Sequence, residues 1–99
     1  MIDPCYCWEV YLRASHALAT GKGEIKERLL KAALEISPLD SRQMPDQLRT
    51  EHEQLLRALS TRGTIRNTLA TMRKDKAKSL AEGITNMEST LRGICHEQP

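Results

Sequence analysis

The stretch Gly23–Ile36, GEIKERLLKAALEI, constrains the fold more than any other part of this chain. On a wheel of about 3.6 residues per turn, Ile25, Leu29, Ala32, Ala33 and Ile36 share one face. Leu30 and Leu34 widen that face, and Glu27, Arg28, Lys31 and Glu35 gather opposite. Glu24/Arg28 and Glu27/Lys31 stand at the favourable i,i+4 spacing with the acid first, each pair adding roughly 0.2–0.5 kcal/mol. So broad an apolar arc needs more than one neighbour. The stretch is therefore expected to be the most buried helix of a bundle, flanked by the helices before and after it, with Leu29 and Ala33 near its centre.

What the other helices pack with is limited by what is missing. The chain has no Phe, Val10 is its sole valine, and its aromatic residues, Tyr6, Trp8 and Tyr11, all fall near the start. The rest of the core must be aliphatic, and Leu, Ala, Glu, Lys and Arg dominate, residues that lose little rotamer freedom in a helix. With 99 residues there is chain for one modest core. The expected fold is a single all-α domain spanning 1–99, an antiparallel up-down four-helix bundle whose fourth helix is broken or kinked near residues 73–75.

Asp3-Pro4 is a good opening for the first helix, since Asp accepts orphan amide hydrogens and Pro at the first helical position has none to lose. Trp8, Tyr11, Leu12, Ser15, Leu18 and Ala19 then recur at three- and four-residue steps until Gly21 and Gly23. Ser37-Pro38 stops the second helix. Pro45 and Asp46 open a third, with Leu48, His52, Leu55, Leu56 and Leu59 as its apolar face and an end near Gly63. Thr64 is placed to cap a fourth, with Ile65, Leu69 and Met72 facing inward. If that helix continued to the C-terminus, Ala77, Leu80, Ala81, Ile84, Met87 and Leu91 would stay in phase, but Arg73 and Lys76 would land in the apolar arc. A break around Arg73 to Asp75 avoids this, with Asp75 as candidate cap of a last helix ending near Cys95.

The order Ile25-Lys26-Glu27-Arg28-Leu29 with Ala32 and Ala33, then Met44-Pro45, Gly63-Thr64-Ile65, Thr68-Leu69 and Met72, then Ala77, Leu80-Ala81 and Ile84, resembles a group of small uncharacterised all-α bacterial proteins. The resemblance covers about two thirds of the chain, rests on structural punctuation and implies no activity. It favours a break after Met72, where such proteins carry a Ser-Asp type helix start and this chain has Arg73-Lys74.

Net charge is +2, so only local patches could attract nucleic acid. The one imbalance is Arg62, Arg66, Arg73, Lys74, Lys76 and Lys78 against Asp75 alone. A helix-turn-helix there would centre on Gly63, but its flanks, Arg62 and Thr64, are polar where that motif packs inward. Nucleic-acid binding is therefore the lesser alternative to a solvated basic face. No apolar run approaches the ~18 residues that cross a bilayer. Asp3, Glu9 and Arg13 argue against a signal peptide, and the odd, sparse cysteines point to the cytoplasm.

Cys5, Cys7, Cys95 and His96 would lie at one pole of such a bundle. Cys5 and Cys7, two apart and about 200° around a helix, point away from each other and do not form half of a zinc site. The three cysteines are expected to be ordinary thiols, with a disulfide from Cys5 or Cys7 to Cys95 under oxidising conditions as the lesser alternative. His52, on an apolar face, reads as a buried, hydrogen-bonded ring, and His16 as solvated. No Ser-His-Asp or Cys-His spacing compels catalysis. The expectation is a non-catalytic protein without a cofactor, acting on a second copy of itself as a homodimer or on another protein, with Tyr6, Trp8 and Tyr11 as interface candidates.

Overall fold

Asp3 starts the first helix as its place before Pro4 predicts. In the computed structural model, which describes residues 2–97, its carboxylate accepts the amide hydrogens of Cys5 (3.1 Å) and Tyr6 (3.2 Å), and α1 runs Pro4–Thr20. Then follow α2 (Ile25–Ile36), a 3-10 turn (Ser41–Gln43), α3 (Asp46–Ala58), α4 (Ile65–Thr71) and α5 (Lys74–Glu97). The described residues are all-α, with no strand. Gly23 and Gly63 have φ of +96° and +91°, the left-handed region glycine enters without a Cβ clash, and each lies in the turn before a helix.

α1 is gripped between two helices that run against it. Arg13 pairs with Glu35 while Arg28 donates to the Leu18 carbonyl (2.8 Å), so α1 and α2 are antiparallel. At the other flank Cys5 is bonded to Cys95, and Trp8 reaches Glu88, so α5 also runs opposite to α1. The main neighbours of α2 are α1, α5 and α4. This corrects the expected flank: α4, not α3, covers its third side, with Leu69 of α4 and Leu30 of α2 bordering the same cleft. Leu29, Ala32, Ala33 and Ile36 are fully buried as expected, whereas Leu34 is 47% exposed and lies outside the core arc.

The buried stripe of α1 is Cys7, Val10, Tyr11, Ala14 and Leu18. That is rotated from the face read off the sequence, since Leu12 and Ala19 are exposed and Cys7, Val10 and Ala14 take their place. α3 ends at Ala58, short of Gly63, and a turn covers 59–63, where the Arg62 amide donates to the Thr68 hydroxyl. Thr64 caps α4 by accepting from the Asn67 amide (3.0 Å).

The break falls at Met72 and Arg73. Met72 is extended, and α5 begins at Lys74 with the Arg73 carbonyl accepting from the Ala77 amide. Asp75 is thus inside the first turn rather than the cap, where its charge complements the helix start. The break leaves Arg73 and Lys76 exposed while Ala77, Leu80, Ala81, Ile84, Met87 and Leu91 stay buried. That is the conflict a continuous helix could not resolve.

Candidate functional site

Two polar clusters stand out against the aliphatic interior. The first joins α1, α3 and the 37–44 loop. His52 has no exposed surface; its Nε2 lies 2.8 Å from the Leu39 carbonyl and its Nδ1 2.6 Å from the Tyr11 hydroxyl. A carbonyl only accepts, so Nε2 carries a proton; in the neutral ring, which burial favours, Nδ1 accepts from the Tyr11 hydroxyl. Burial holds the His52 pKa below its ordinary value, against the opposing effects of the Leu39 hydrogen bond, Glu53 and Asp40. Burial likewise pushes the Tyr11 phenol up, helped by Cys7 and Glu51. The Leu39 carbonyl is held in place by its own loop: Asp40 and Gln43 form a reciprocal cap around the 3-10 turn, and Arg42 draws the Asp40 carboxyl down to about 2. Both ring nitrogens of His52 have a structural partner, so the cluster acts as a polar peg in the core.

The second cluster is at the pole where α1 begins and α5 ends. Cys5 is disulfide-bonded to Cys95, with Cα atoms 4.8 Å apart. One to two turns along, the Trp8 indole donates to Glu88 Oε2 (2.9 Å), and the Trp8 and His96 rings meet edge-on at 5.4 Å. Glu88 is only 8% exposed, and its carboxylate oxygen accepts that indole hydrogen bond and lies 3.8 Å from Arg92. Cys7 faces elsewhere: its thiol donates to the Gln43 carbonyl (3.2 Å) and is buried. The four soft ligands therefore do not converge. Among the described residues no group of three or more His, Cys, Asp or Glu side chains is placed to hold a metal.

Of the aromatic interface candidates, Tyr6 is 45% exposed, Trp8 is half-buried, and Tyr11 is wholly buried. Tyr11 is corrected from an interface residue to a core residue, since its hydroxyl is used by His52 and its ring has no free surface. Sequence reading missed Ile2, Leu12 and Leu34 as exposed apolar groups; a shift of the α1 stripe by one position hides Leu12 from a wheel. It also missed Glu88, whose acidic side chain gives no sign that an indole eighty residues earlier will bind it.

Arg62, Arg66, Arg73, Lys74, Lys76 and Lys78 are all exposed. They do not form one surface. Arg62, Arg73 and Lys76 rim a cleft of about 440 Å³ with Thr61, Thr71 and Met72, while Arg66 lies beside Lys26 and Leu30. Lys78 borders a separate, mainly apolar groove of about 510 Å³ between α1 and α5, floored by Leu18, Ile25 and Ala81. Arg73 and Lys74 are partly neutralised, by Asp75 at 3.6 Å and Glu24 at 4.0 Å.

No helix among the described residues is long and apolar enough to cross a membrane. No family model, curated protein or solved structure matches the chain.

Proposed function

We propose that this chain is a small non-catalytic helical protein that works through protein contacts, with a second copy of itself as the first partner. The observation that carries this reading is at the start of α1. Ile2, just before α1, and Tyr6, in its first turn, are 42% and 45% exposed, and Trp8 further along the helix is half-buried. Aromatic side chains of this kind anchor interfaces at low entropic cost, and a two-fold dimer is the commonest closed assembly. We read the architecture as an up-down four-helix bundle of α1, α2, α3 and α5, with α4 as the detached start of the fourth helix. The opposed directions of α1 to α2 and to α5 support it. The resemblance of the sequence to small bacterial all-α proteins supports a reading as a bacterial cytoplasmic protein, in a compartment where cysteines are mostly kept as thiols.

Light scattering on the concentrated protein is expected to give twice the chain mass, and Tyr6→Ala to return it to a monomer. A monomer mass for the unmodified chain at high concentration would reject the dimer.

DNA binding is the second reading, favoured by the six exposed cations and above all by the convergence of Arg62, Arg73 and Lys76 on one cleft. Retention of duplex DNA on a filter would then fall steeply as salt rises. Equal, negligible retention at low and high salt disposes of it.

A further inference from the structure

The hydrophobic core runs from Cys7 to Leu91, and the Cys5–Cys95 bond lies outside it at both ends. Cys5 is in the first turn of α1 and Cys95 in the last turns of α5, and both are half-buried. Helix ends have fewer internal hydrogen bonds than helix middles and open most easily. The third thiol is kept apart from this pair. Cys7 is on the far side of α1, buried, with its Sγ directed at the Gln43 carbonyl. Burial pushes the Cys7 pKa up, then the charge of Asp3 adds to it, so little of it is the thiolate that would scramble a neighbouring disulfide.

We propose that Cys5–Cys95 is a thiol-exchange site, a latch that a dithiol reductant opens and its oxidised form closes, and whose opening frees the last turns of α5 from α1. One thiolate of the dithiol attacks either sulfur; the S–S bond breaks, a mixed disulfide forms, and the other cysteine leaves as thiolate. The second thiolate of the dithiol then attacks its own sulfur in the mixed disulfide, forming the oxidised dithiol and releasing the remaining cysteine. Two electrons pass to the protein, and the two protons of the dithiol finish on Cys5 and Cys95. The bond holds His96 against the edge of Trp8, and Ile94 against the core. The indole bond to Glu88 lies nearer the middle of α5 and is independent of the last turn. The inference goes beyond the contact reading and stands whether or not the chain dimerises.

The test uses the full chain, equilibrated in dithiothreitol buffers of graded oxidised-to-reduced ratio and followed by intact mass, hydrogen exchange and Trp8 emission. On reduction the mass rises by two hydrogens, amides of 92–97 exchange at least about tenfold faster, and Trp8 emission shifts as His96 withdraws. The amides of Leu29–Ala33 stay protected, and reoxidation reverses every change. Cys95→Ser shows the open state in all buffers, while Cys7→Ser keeps the response. The latch is overturned by a chain that carries three free thiols after oxidation, or by unchanged exchange at 92–97. It is equally overturned if α2 loses protection together with α5, since the bond is then a staple the whole fold depends on. Should Cys95→Ser fail to fold, reversible reduction of the unmodified chain still decides between these outcomes.

Discussion

Leu29→Ala is expected to destabilise the protein by about 2–5 kcal/mol in urea unfolding, as for a buried leucine whose cavity the neighbours fill only in part. Leu29 has no exposed surface and belongs to the one helix packed on α1, α4 and α5 together. A cavity there borders several elements, so no single side chain can relax into it. Leu34→Ala, five residues further along the same helix but 47% exposed, is the control and should cost no more than about 0.5 kcal/mol. If Leu29→Ala costs less than about 1 kcal/mol, α2 does not sit at the centre of the core.

The second large effect belongs to His52. Replacing it with Ala removes a fully buried ring and leaves both the Leu39 carbonyl and the Tyr11 hydroxyl without partners. Each orphaned polar group costs about 1–3 kcal/mol in addition to the cavity. Tyr11→Phe strips only one partner and should cost less, so the two variants rank the contributions. The neutral ring also makes stability depend on pH. The folded-state pKa of His52 lies below its unfolded value, so the unfolded chain takes up the proton first. The contribution is complete above an unfolded pKa of about 6.5 and is lost as pH falls from there through the folded pKa. Unfolding free energy measured at intervals from pH 8 to 5 should therefore fall toward acid, and His52→Gln should flatten that slope. A slope unchanged by the substitution would mean that other groups set it.

Where the sequence could be read, local chemistry decided the outcome. Asp3-Pro4 and Thr64 act within a turn of where they stand, and each opens its helix as expected; α2 ends at Ile36 before Ser37-Pro38, although Ser37 itself keeps helical geometry. The break before α5 was legible because two cations, Arg73 and Lys76, made a continuous apolar stripe untenable. Tertiary context decided the rest. Leu39 and Met44 are buried from within a loop, where no periodicity signals burial, and the neighbour of α2 depends on how the α3–α4 turn swings. On α1, Trp8 and Leu12 outrank Cys7, Val10 and Ala14 by size, so the wheel was centred one position off the true stripe. The cysteine geometry was half legible: two residues apart on a helix, Cys5 and Cys7 cannot serve the same partner. Which of them meets Cys95 depends on the direction α1 turns toward α5, and only the packing of the helices shows that.

The same bond gives the molecule two mechanical characters. With Cys5 and Cys95 joined, the segment between them is a closed ring of sequence separation 90. Tension applied outside the two cysteines runs through sulfur and bypasses every helix. Once the sulfurs part, the identical load falls on α1 and α5 from their ends inward, and the chain can pay out roughly 300 Å at about 3.3–3.6 Å per extended residue. Oxidised, the protein is a rigid link; reduced, it is an extensible tether whose resistance is that of its aliphatic core.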